Sequence, residues 1–233
     1  MVTGPIAPTG ETGQRTMTSG NHLEQLDRLS GLLATVSRDA VGTIRRASVA
    51  LLDIEPDGAR AVLAEVDERA VTHRRIGELV PLALVRQQPV ASDLRLVLAA
   101  LRMNTELHRM DALAAHIAKL VLARHPAPVV PPPVRPLIGA MAETTARIAD
   151  KAALVLVTRD RIDAIQLGLD DDELDVQYER LFTVLTDAWP YGVQAAIDVA
   201  MLGRYYERFA DHAVNVARRV AYLVGGDTAR GIL

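Results

Sequence analysis

The sequence predicts an all-α chain of six long helices in two pseudo-symmetric three-helix bundles. Three observations carry this reading. Apolar residues recur at steps of three and four over long stretches, a proline-rich segment interrupts the chain near its middle, and a similar succession of periodic segments stands on either side of it. No alternating pattern competes for a strand.

With 233 residues, 49% of them hydrophobic, the chain is long enough for one large core or two small ones. Residues 1–20, rich in Thr, Gly and Pro without an apolar run, read as a disordered leader and not as a signal peptide. From Asn21 to Ile54 the series Leu23, Leu26, Leu29, Leu33, Val36, Ala40, Ile44, Ala47 and Leu51 predicts the first amphipathic helix. Glu55-Pro56-Asp57-Gly58 breaks it, with Asp57 as the expected N-cap of a second helix that passes Val62, Val66, Ile76 and Leu79, kinks at Pro81 and runs to Gln88. Pro89 ends that helix. Ser92 is placed to cap the third, Asp93 meets the positive end of its dipole, and the helix reaches Arg124. The first bundle therefore spans 21–124.

His125 to Pro136, H-P-A-P-V-V-P-P-P-V-R-P, reads as an extended, semi-rigid linker over 125–136. Beyond it a helix is expected from Leu137 to Gln166 and a second from Asp170 to Ala188. Trp189-Pro190 then leads into the last, which Gly225-Gly226 stops. The second bundle spans 137–225, followed by a tail at 226–233.

The candidate site lies in that last helix. The run E-R-F-A-D-H-A-V-N places Glu207, Asp211 and Asn215 at successive i, i+4 steps. At about 100° per residue the three side chains occupy a stripe roughly 80° wide, beside the apolar arc and not opposite it. Asp171, Asp175 and Glu179 repeat the spacing in D-D-E-L-D-V-Q-Y-E. A polar rim on a core helix would give one such stripe, but two matching stripes invite a shared site. Packed antiparallel, the two helices would face five carboxylates and an amide towards one another across about 8–10 Å. Such carboxylates repel unless a cation neutralises them. All-oxygen ligands favour hard or borderline ions, so a divalent or trivalent metal such as Mg, Mn, Fe or Zn is the expected cofactor.

If the halves are duplicates, H-R-M-D-A-L-A-A-H aligns with that run, and His108, Ala112 and His116 stand where Glu207, Asp211 and Asn215 stand. Asp67, Val71 and Arg75 take the places of Asp171, Asp175 and Glu179. This half is read as a degenerate counterpart without metal, in which Asp111, one position early, is the residue able to rescue a weak site. His212 is read as a surface residue or as a group orienting a ligand; His73 and His22 have no informative spacing.

These same residues carry a family resemblance. Leu202 to Val220, L-G-R-Y-Y-E-R-F-A-D-H-A-V-N-V-A-R-R-V, looks like the last helix of PhoU proteins, especially their PhoY branch. Gln88 to Leu98, Q-P-V-A-S-D-L-R-L-V-L, is similar to the PhoU segment that opens the third helix, and the likeness extends loosely from Asn21 to Gly225. The resemblance implies the paired three-helix bundles and a homodimer. It also implies a non-enzymatic negative regulator of phosphate uptake and of the phosphate-starvation response, an adaptor between the ATPase of the phosphate ABC transporter and a phosphate-sensing histidine kinase. The departure of the first half from the usual family pattern puts a metal there in doubt.

Composition narrows the remaining classes. A formal charge of −3 and a pI near 6.1 give no basic field for nucleic-acid backbones. The absence of cysteine excludes disulfides, thiolate metal sites and cysteine nucleophiles, and suits a cytoplasmic protein. No apolar run is long enough to cross a bilayer, so any membrane association is expected to be peripheral. No histidine has glutamate three residues before it, and Gly-Lys, H-E-x-x-H and the nucleophile elbow are missing, so no catalytic residue is expected. The alternatives are a metal-dependent phosphohydrolase, since clustered carboxylates can hold two metals, and a purely structural helical scaffold.

Overall fold

The computed structural model describes residues 12–85, 91–167 and 172–225. The helices are α1 (Thr12–Asp53), α2 (Pro56–Val85), α3 (Ala91–Arg124), α4 (Arg135–Thr158), α5 (Arg161–Gln166), α6 (Asp172–Thr186) and α7 (Gly192–Gly225), with a short 3-10 turn at Pro132–Val134. Six of them are the expected helices, and among the described residues there is no strand.

Local chemistry explains both the agreement and the differences. The apolar series of α1 from Leu26 to Leu51 is buried as its period requires. The helix starts at Thr12, inside the stretch read as a leader, because adding residues to an existing helix needs no new nucleus. At its other end Ile54 adopts φ 60° and the amide of Glu55 donates to the carbonyl of Ala50 at 2.9 Å, closing the helix by a Schellman-type bond. Pro56 then occupies the first position of α2, so Asp57 lies inside the first turn and is not the cap. Helix α2 continues through Pro81, while its expected end at Gln88 lies outside the described residues. Ser92 falls within α3, which opens at Ala91.

The proline segment packs against the core as it connects the halves. Val129, Val130 and Val134 are buried, and part of the segment read as extended is helical. Proline's fixed φ suits a 3-10 turn and the first turn of a helix, so Pro132–Val134 leads directly into α4 with Pro136 near its start. The single helix expected to reach Gln166 is two. Arg159 takes φ 56° and ends α4, and Asp160 accepts the amide protons of Ile162 and Asp163 at 2.7 and 3.2 Å, capping α5.

Helices α1, α2 and α3 pack mutually, as do α4, α6 and α7, and the two sets join through α1 against α4 and α3 against α7. Corresponding helices thus meet across the centre, as a pseudo-twofold arrangement requires, and one continuous core fills both halves. Three cross-contacts make α3 and α7 antiparallel: Arg124 donates to Asp198, His116 stacks on Tyr205 at 5.3 Å, and His212 Nδ1 lies 2.7 Å from Glu106. Tyr206 of α7 is fully buried beside the seam, its hydroxyl 2.9 Å from Ser48 Oγ of α1 and its pKa raised by burial.

Candidate functional site

Helices α6 and α7 meet where Gly203 removes a side chain. A Cβ there would lie 2.5 Å from Leu181 Cδ2 and 3.2 Å from the Tyr178 ring, so any larger residue would push the Leu181 side chain aside and loosen the approach. This contact sets the two acidic stripes side by side. Glu207, Asp211 and Asn215 are half-buried on α7, and Asp175 and Glu179 are exposed on α6. Asp171, the remaining predicted ligand, lies outside the described residues.

The charges of the two stripes act on one another through Asp175 and Asp211. The Asp175 carboxyl is pushed up from the ordinary carboxylate range by partial loss of hydration, then by the negative charges of Asp211, Asp172 and Glu179. Glu207 is also raised, by burial first and by Asp211 second, against the opposing pull of Arg204 and Arg208. Arg204 Nη1 sits 2.5 Å from Glu207 Oε2. The donor set is all oxygen and mutually repulsive, which suits a hard cation. Among the described residues, however, no three His, Asp or Glu side chains converge closely enough to hold one.

The first half differs in kind. His108, His116 and Asp67 of its stripes are exposed, whereas Asp111, the residue expected to rescue a site, points into the core and is 1% exposed. Its Oδ2 accepts from Arg69 Nε at 2.9 Å and lies 2.9 Å from His73 Nε2; its Oδ1 has no partner among the described residues. Arg69 also donates to Thr43 Oγ1, and His73 Nδ1 meets Asn104 Oδ1 at 2.7 Å. A guanidinium thus already neutralises the carboxylate on which metal rescue depended.

Sequence reasoning missed this buried cluster, although a signal was present. Arg69 and His73 continue the α2 core series of Val62, Ile76 and Val80, and Asn104 and Asp111 continue the α3 series of Val97, Ala100, Leu107 and Ala114. Polar residues at core positions need partners. In the second half the equivalent positions hold Glu173, Gln177, Gly203 and Ala210. There Glu173 accepts from Arg147 and Thr144 of α4 in an exposed pair, and Ala210 leaves no carboxylate at the position of Asp111. His212 is buried against Glu106 of α3 and is not a surface residue.

The comparisons with known proteins fit this arrangement of halves. The PhoU domain matches twice, over residues 33–121 and 138–220. The phosphate-specific transport system accessory protein PhoU homolog 2 of Mycobacterium tuberculosis is 39% identical over 204 residues, covering 87% of this chain and 96% of that protein. Homolog 1 of Mycobacterium leprae is 39% identical, covering 87% and 92%. The crystal structure of PhoU from Pseudomonas aeruginosa shares the fold at TM-score 0.75 and 23% identity, over 91% of this chain and 99% of that one. The phosphate transport system regulatory protein PhoU from Streptococcus pneumoniae does so at TM-score 0.76 and 19% identity, over 88% and 98%. These names denote accessory and regulatory proteins, not enzymes.

Proposed function

The chain belongs to the PhoU family, and on that basis we propose that it is a non-enzymatic accessory regulator of phosphate-specific transport, which restrains phosphate uptake and the phosphate-starvation response when phosphate is plentiful. The observation that carries the reading is the double match of the PhoU domain, one to each half, together with relatives named for phosphate-specific transport that align along nearly their whole length. In this reading the protein is a cytoplasmic homodimer that couples the transporter ATPase to a phosphate-sensing histidine kinase. Any membrane contact is peripheral, consistent with the finding that among the described residues no helix is long and apolar enough to cross a bilayer.

The second half is the metal-binding half in this proposal, with Glu207, Asp211, Asn215, Asp175, Glu179 and Asp171 as ligands. A bound ion would supply charge neutralisation beyond the single ion pair that Arg204 gives Glu207. Metal analysis distinguishes the halves: Asp175→Ala/Asp211→Ala should lose the ion, and His108→Ala/His116→Ala should keep it.

The adaptor role is tested by a pull-down from phosphate-replete cells with identification of the captured proteins. Recovery of the transporter ATPase or a sensor kinase is expected; recovery of neither would count against it.

A further inference from the structure

His73 of α2 is 6% exposed, and α3 engages both of its ring nitrogens. Nδ1 lies 2.7 Å from Asn104 Oδ1, and the orientation of that amide is fixed, because Asn104 Nδ2 donates to the carbonyl of His73 at 3.1 Å. An amide oxygen only accepts, so Nδ1 carries a proton. Nε2 lies 2.9 Å from Asp111 Oδ2, which already accepts from Arg69 Nε at 2.9 Å. A hydrogen bond there needs a second proton between nitrogen and oxygen. The guanidinium on the same oxygen favours the carboxylate form and so leaves that proton on the ring.

We propose that His73 is held as the imidazolium and acts as a proton-dependent latch between α2 and α3. Without its second proton, one ring nitrogen would present a lone pair to an acceptor, and either the bond to Asn104 or the bond to Asp111 would have to break. The groups around the ring leave it no alternative partner. Arg69, on the same helix, is committed to Asp111 and to Thr43 Oγ1 of α1. Thr43 in turn donates to Glu65, which also accepts from Arg46 of α1. From α3, besides Asn104 and Asp111, His108 meets the ring edge-on at 4.9 Å. The second half has no such device, since Gln177, Gly203 and Ala210 stand where His73, Asn104 and Asp111 stand, and an amide does not titrate. The latch lies in the half that the proposed function leaves without metal, so it does not depend on a bound ion.

The test is a long-range nitrogen–proton NMR spectrum of the full chain at neutral pH, with the His73 ring assigned through its own backbone. Both ring nitrogens should show protonated shifts; a single unprotonated nitrogen in the wild type would overturn the proposal. Asp111→Asn, which keeps the shape and removes the charge, should return one ring nitrogen to the unprotonated state. If both stay protonated in that variant, the carboxylate does not hold the second proton and the latch is wrongly assigned. Should the variant fail to fold, the wild type at rising pH still decides. As the second proton is lost, amides of α2 and α3 around His73 and Asn104 should exchange about tenfold or more faster than their intrinsic pH dependence predicts, the worth of one hydrogen bond to a charged group. Helices α6 and α7 should show no such step. Loss of the proton with unchanged protection, or with an equal change in both halves, would show that it latches nothing.

Discussion

Arg69 and Asp111 form a buried ion pair at 2.9 Å, 8% and 1% exposed, beside the stripe where the first half lacks acidic residues. Removing one member leaves the other charged in a low-dielectric interior, which typically costs about 3–5 kcal/mol. Asp111→Ala should therefore destabilise the chain by about that amount in denaturant unfolding, and His108→Ala, at an exposed position whose ring meets only the edge of His73 at 4.9 Å, should cost no more than about 1 kcal/mol. Equal effects would show that Asp111 is not the anchor of this cluster.

Gly203 and Gly77 occupy opposite roles in the two halves. In the alignment that pairs His108 with Glu207 and Asp67 with Asp171, Asn104 falls on Gly203 and Gly77 on Leu181, so the small residue has moved from one helix to the other. A Cβ on Gly203 collides with buried Leu181, whereas one on Gly77 meets nothing within 4 Å. Gly203→Ala should cost about 1–3 kcal/mol by overpacking. Gly77→Ala should gain up to about 1 kcal/mol from helix propensity. Thermal unfolding of the two variants checks the pair of signs.

Asp211 raises both Asp175 and Glu207, so replacing it tests the repulsion directly. A carboxyl whose folded pKa is raised binds its proton more tightly in the folded chain. Its favourable contribution is fully present below the unfolded carboxylate range, near about 4, and is lost as pH rises through the raised value. At neutral pH the ionised stripe therefore opposes folding. Asp211→Asn should stabilise the neutral protein, by roughly 0.2–0.5 kcal/mol for the i, i+4 pair with Glu207, and the gain should shrink on acidification. Destabilisation at neutral pH would contradict this.

Much of the fold was legible because periodicity reports burial directly: the series from Leu26 to Leu51 and the arc around Phe209 are buried as the spacing requires. Boundaries were less legible where local chemistry decides them. Nothing in the pattern marks Arg159 as left-handed, and prolines that read as helix breakers serve as helix starters in Pro132–Val134 and α4. For the site, i, i+4 spacing groups Glu207 with Asp211 on α7, and in the structure the charge of Asp211 acts on both Glu207 and Asp175 of α6. It left Arg69 and His73 unassigned although both lie on the core period of α2, because spacing along one helix does not name the partner, here Asp111 of α3, that satisfies them.

The central claim is the regulatory role, and the most direct measurement is phosphate uptake in phosphate-rich medium by a clean deletion strain in which any second PhoU-family gene is also removed. Uptake and starvation-gene expression should rise above the parental level and return when this chain is restored. Unchanged uptake and expression in that strain would contradict the account.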